Sequence, residues 1–216
     1  MKNVQYALVW QRLATVLAVA VLTLSLIAAV TGILLAFYYE PTAGGAYESL
    51  RVITTQVSNG WLIQNLHSIA GNGIIALSLV QIVVMFLGER LRPAWLTAWI
   101  SGILLTLTAI ALGWTAMILS WSQLGYWRFK IELETIQAIP LIGPSLREIL
   151  TGGGGVNTVT VEHLYTLHSY LLAIGAVLLA VIHLASLLLQ EKEVRQAEIP
   201  ADTSADSAAN LDAELS

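Results

Sequence analysis

Four stretches of this chain carry no charged side chain at all, running from Arg12 to Glu40, Arg51 to Glu89, Arg92 to Arg128 and Glu162 to Glu191. A helix needs about 20 predominantly apolar residues to cross a bilayer, and each gap is long enough. The expected fold is all-α: an integral-membrane four-helix bundle with spans at 14–38, 62–87, 95–119 and 163–189. The composition agrees. Of 216 residues 56% are hydrophobic and 11% charged, against roughly 25% charged in a soluble domain. The first apolar run is far longer than the core of a cleaved signal peptide, so it is read as a span.

The net charge of −4 is small, and seven of the fourteen acids lie from Glu191 onward. Residues 14–190 form the expected membrane domain. Residues 1–13 are read as a cytoplasmic N-terminal segment, and 191–216 as a polar, disordered tail poor in apolar side chains. The chain has no basic face, which excludes nucleic acid as a partner. Cysteine is absent, which excludes disulfides, thiolate zinc sites, iron–sulfur clusters and thioether-bound haem. Any metal must be held by His, by carboxylate or within a cofactor.

Lys2, Arg12, Arg90, Arg92, Lys192 and Arg195 fall on one side of the expected membrane, and Arg51, Arg128, Lys130 and Arg147 on the other. That balance puts both termini on the cytoplasmic side of a multi-pass protein. Trp10, Trp61, Trp95, Trp121 and Trp127 sit near span ends, as interfacial aromatics do. Pro41, Gly44 and Gly45 mark a turn between the first two spans. In the long third connection, Leu141, Ile142, Leu146 and Leu150 lie roughly on one face of 136–150, as in short helices resting on a membrane surface.

Besides His163 at the very start of the fourth span, the histidines are His67 in the second span and His168 and His183 in the fourth, where an imidazole is a functional-site hypothesis. His168 and His183 are separated by about 60° around the fourth span and about 22 Å along it, so both can face the bundle interior near opposite surfaces. The second and fourth spans run in the same direction, which places His67 at the depth of His168. Two neutral imidazoles at matched depth suit a bis-histidine haem b between these spans. A lone span histidine equally suits hydrogen-bonded packing. Zinc fits less well, because two histidines leave it two ligands short.

Fourteen residues after His67, at about 21 Å of rise, stands Gln81 on the same face. It faces His183, and its amide is a poor iron ligand. Three readings of His183 stay open: five-coordinate haem, haem with a substitute ligand, or a hydrogen bond to Gln81. A macrocycle wedged between helices needs small residues. Gly32, Gly71, Gly73, Gly102 and Gly113 are the candidates, although small residues also line membrane helix interfaces without a cofactor. His163 lies about 140° around the helix from His168 and should not share its iron.

Over residues 12–189 the chain resembles the N-terminal four-helix haem domain of the cytochrome b family, found in bc and b6f quinol-oxidising complexes. The resemblance rests on Thr31-Gly32 with Phe37-Tyr38-Tyr39-Glu40-Pro41-Thr42, on Gly60-Trp61-Leu62-Ile63 leading to His67, and on Trp121-Ser122-Gln123-Leu124-Gly125-Tyr126-Trp127. Ala138-Ile139-Pro140-Leu141-Ile142-Gly143 and Tyr165-Thr166-Leu167-His168 with His183 complete it. It implies haem b between His67 and His168 on the outer, quinol-oxidising side. There are departures. The family has His at Gln81, an arginine at Gln64, basic residues at Val84 and Leu188, Pro and Asp at Ser120 and Ser122, and glycines at Ala18 and Ala116. Val16 stands about where cytochrome b6 has the cysteine of a covalent haem, so none is expected. The Pro-Glu-Trp-Tyr element of the quinol site is absent from the chain.

The resemblance implies an electron-transfer subunit, not catalytic alone, in the cytoplasmic or thylakoid membrane. Its implied partners are lipid, quinone, a second membrane subunit completing the quinol site, and a Rieske-type or cytochrome c-type redox protein. The alternative is a divergent paralogue acting as a structural or assembly subunit with one haem or none. The inner site is expected to be empty or to hold a loosely bound haem on His183 alone.

Overall fold

The computed structural model describes residues 2–88 and 95–197, with side chains in 9–88 and 95–192. Arg90, Arg92 and the tail from residue 198 onward lie outside these residues. In chain order the helices are α1 (Lys2–Ala36), α2 (Ala46–Thr55), α3 (Gly60–Leu87), α4 (Leu96–Leu119), α5 (Gln123–Gln137), α6 (Gly143–Thr151) and α7 (Thr158–Thr166). A π-helical turn (Leu167–Leu172) then leads into α8 (Ala173–Ala197). Four segments are long and apolar enough to cross a membrane: Val9–Ala36, Gly60–Leu87, Leu96–Leu119 and Thr158–Lys192. Their outward faces carry Val30, Ile33, Ile69, Leu107 and Leu178, all more than half exposed. Such continuous apolar surface belongs against lipid, where the helix also satisfies its own backbone hydrogen bonds.

The α1 helix packs on α3 and α8, and α4 packs on the same two. This ring sets α3 and the π turn with α8 across a diagonal, facing one another over the bundle centre. The core has three layers. The inner layer joins Ala14, Ala18, Val84, Met85, Trp95, Ala98 and Leu187. The middle one joins Val21, Ile74, Leu105, Ala109, Ala176 and Ala180. The outer one joins Ala46, Ile118, Leu119, Phe129, Leu133, Val161 and Leu164. The polar residues of interest lie between the layers.

Several expectations change. α1 begins at Lys2, so residues 2–13 continue the first spanning helix. Trp95 is only 2% exposed and packs in the inner layer, because it sits at the start of α4 beneath Ala14 and Leu187 rather than at a lipid interface. The turn after α1 holds, but it feeds an additional helix, α2. The third connection contains α5, unforeseen in the sequence. Ser122 caps it by accepting from the Gly125 N–H at 3.2 Å. Leu141 is on no helical face: it is 98% exposed in the turn between α5 and α6, with φ +70°.

Candidate functional site

His67 projects from α3 toward α1. Its Nδ1 lies 2.9 Å from the Ala28 carbonyl and 3.1 Å from Thr31 Oγ1. A carbonyl can only accept, so Nδ1 carries the proton and Nε2 keeps its lone pair. Gly32 makes this approach possible, since a Cβ there would come within 3.1 Å of His67 Cε1. His168, in the π turn, is held in the same way from α4. Its Nδ1 lies 2.7 Å from Thr115 Oγ1, and the Leu112 carbonyl is a further hydrogen-bond partner of the ring. Thr115 donates to the Ala111 carbonyl at 2.9 Å, so it accepts from the ring.

The two rings face one another with centroids 6.4 Å apart and planes at 59°. Two metal–imidazole bonds of about 2 Å, with roughly 1.1 Å more from each bonding nitrogen to its ring centre, give about 6.2 Å. A centroid spacing of 6.4 Å therefore leaves room for one metal between the two rings. Both rings remain partly accessible, and a Cβ on Gly71, one turn past His67, would meet nothing within 4 Å. Gln64 Oε1, nearly one turn before His67, is buried without a hydrogen-bond partner. Among the described residues no group of three or more His, Asp or Glu gathers to hold a bare ion. The donor set suits a metal that brings its own equatorial ligands, as haem iron does.

The inner pair is arranged differently. Gln81 and His183 are 3% and 1% exposed, and their Nε2 atoms lie 2.6 Å apart. His183 Nδ1 is 3.0 Å from the Ala98 carbonyl and 3.1 Å from Ser101 Oγ. Gly102 admits the ring, where a Cβ would come within 2.8 Å of its Cε1. Of the three open readings of His183, the geometry displays the hydrogen bond to Gln81.

The π turn brings the two levels into register. Fifteen residues separate His168 from His183, but fourteen separate His67 from Gln81. A π turn bonds i to i+5 and so absorbs one extra residue relative to an α turn. The expected 60° offset between the two histidines is reduced accordingly. Of the other candidates, Gly113 packs against Ile75 of α3, where a Cβ would meet Cδ1 at 2.8 Å, and Gly73 against Leu24; both serve helix contact. His163 places its Nδ1 2.8 Å from the Ile149 carbonyl in the last turn of α6, a position that favours a donor.

Thr115 and Ser101 were not identified from the sequence, and Thr31 entered only as part of the family resemblance, not as a partner of His67. Each hydroxyl residue immediately precedes a small one, in Thr31-Gly32, Thr115-Ala116 and Ser101-Gly102, and that recurrence is the signal that reveals them.

The family profile described as Cytochrome b/b6/petB matches residues 5–191. Cytochrome b6 of Cyanidium caldarium is 37% identical over 163 residues, 75% of each chain. Cytochrome b6 of Synechococcus elongatus is 36% identical over 152 residues, 70% of each. A solved chain in a structure titled "Hyperthermophilic respiratory Complex III" superposes with a TM-score of 0.68 at 25% identity. The match covers 80% of the present chain and 47% of that one, so the present chain spans about half of its length.

Proposed function

This chain belongs to the cytochrome b/b6 family, and on that premise we propose that it is the b-type cytochrome subunit of a quinol-linked electron-transfer complex, with haem b between His67 and His168. The observation that carries the reading is the facing pair of imidazoles at 6.4 Å, each with Nδ1 engaged by a carbonyl or hydroxyl. When bound, haem supplies a one-electron carrier inside the membrane. The chain's own residues orient both rings, present Nε2 to the centre and keep α1 close enough through Gly32. Held Nδ1–H groups also raise the basicity of the ligands. No Asp, Glu, Lys or Arg lies in the middle of a span, so the chain offers electron relay without an embedded proton relay.

Partners follow from the same reading. A second membrane subunit completes the quinol site, quinone is the small-molecule partner, and a Rieske-type or c-type cytochrome protein takes the electrons. Both termini lie on the cytoplasmic side of a cytoplasmic or thylakoid membrane.

Reduced-minus-oxidised spectra of the purified chain, with His67→Ala and His168→Ala beside it, test the assignment. Each variant should lose the low-spin b-type α-band, and a normal band in either removes the assignment. The chain alone should not oxidise quinol; robust turnover without a second membrane subunit would overturn the proposed division of labour.

A further inference from the structure

The inner half of the bundle repeats the construction of the outer half with one change. On α1 and α4 the same spacing recurs, a carbonyl, a hydroxyl three residues on and a small residue one further: Ala28, Thr31 and Gly32 against His67; Ala98, Ser101 and Gly102 against His183; and Leu112 and Thr115 against His168, with Ala116 next in the sequence. A fourth such place lies fourteen residues before Ala28. There the Ala14 carbonyl accepts from Gln81 Nε2 at 3.3 Å, with Leu17 and Ala18 following.

The protons of the inner pair are assigned by its partners. Ala98 can only accept, so His183 Nδ1 donates to it and Nε2 is left as an acceptor. Gln81 gives one amide proton to that Nε2 and the other to Ala14. Both donors of the amide and both nitrogens of the ring are engaged. An iron between these groups would need its two donor atoms about 4 Å apart, whereas the nitrogens stand at 2.6 Å. An amide nitrogen, its lone pair delocalised, is no substitute for imidazole. Val84, where the family has a basic residue, is 4% exposed in the apolar layer beneath. These residues do not fit a second haem.

We infer that the inner site is a buried hydrogen-bonded clamp standing where the repeated construction would otherwise seat a second iron. It joins all four spans: α1 through Ala14, α3 through Gln81, α4 through Ala98 and Ser101, and α8 through His183. The inference rests on the haem reading above only for the contrast between the two levels.

Pyridine haemochrome stoichiometry and thermal unfolding of the purified full chain in detergent test it, with Gln81→Leu, His183→Leu and the double variant. At most one haem per chain is expected, with count and α-band unchanged by either substitution. Each single variant strands a buried polar partner and should lower the unfolding midpoint by about 2–6 °C. The double variant removes both partners, so it should fall by clearly less than the sum. Two haems per chain, loss of haem with His183→Leu, or additive midpoints would overturn the clamp. Gln81→Leu and the wild-type stoichiometry keep the test decisive if His183→Leu fails to fold. A haem-free wild-type chain that retains the coupling would overturn the His67–His168 reading and support the clamp.

Discussion

Thr115 Oγ1 stands 2.7 Å from Nδ1 of His168 and passes its own proton to the Ala111 carbonyl at 2.9 Å. One hydroxyl on α4 therefore accepts from a ring on the diagonal pair of elements. Thr31 does the same for His67 from α1, donating to the Ile27 carbonyl at 2.7 Å. The two helices that carry neither histidine of this pair thus orient the two rings.

Thr115→Val keeps the side-chain volume and removes the acceptor. Haem affinity is expected to fall about 10-fold or more, measured by haem titration of the apo chain. Thr115→Ser should restore it. The midpoint potential should rise in Thr115→Val, since a less basic imidazole stabilises ferric iron less well; an unchanged potential and affinity would show that the hydroxyl is incidental.

The close approach of α1 predicts a steep size dependence at Gly32. A methyl group at 3.1 Å from His67 Cε1 requires a shift of a few tenths of an ångström, whereas larger branches displace the ring. Gly32→Ala should keep most of its haem. Gly32→Val should retain little, as read by the haem-to-protein absorbance ratio, and a fully loaded Gly32→Val chain would contradict the packing argument.

Tyr39 donates its hydroxyl to the Leu119 carbonyl at 2.8 Å and stacks on Tyr165 with centroids 5.6 Å apart. Burial, and secondly the neighbouring Tyr165, push its ionisation well above the ordinary phenol range. The unfolded chain releases this proton near pH 10 while the folded chain keeps it. Its contribution is therefore fully present below about pH 10 and is lost as pH rises above that value. Tyr39→Phe should destabilise the chain by about 0.5–1.5 kcal/mol at neutral pH and flatten the decline of the unfolding midpoint between pH 9.5 and 11. A parent and a variant with parallel alkaline profiles would exclude Tyr39 as the source.

The spans and the matched depth of His67 and His168 were legible in the amino-acid sequence. Insertion depends on hydrophobicity summed along one helix, and depth on counting residues at a fixed rise. Both are local quantities. The amphipathic reading of 136–150 found the region of α6 but missed α5, whose mixed surface faces partly inward through Phe129 and Leu133. Trp95 looked interfacial because position along a span does not tell which way a side chain turns. The π turn at His168 leaves no local periodicity to read, yet it aligns the two histidine levels.

What tertiary structure alone decided is that the outer rings stand apart, with centroids 6.4 Å from one another, whereas the inner pair is in direct contact, with its Nε2 atoms 2.6 Å apart. Residue counting placed Gln81 opposite His183 by the same arithmetic that placed His67 opposite His168. It could not say that one pair faces across a metal-sized gap and the other touches. That distinction rests on helix rotation and approach of about an ångström, set jointly by packing across all four spans.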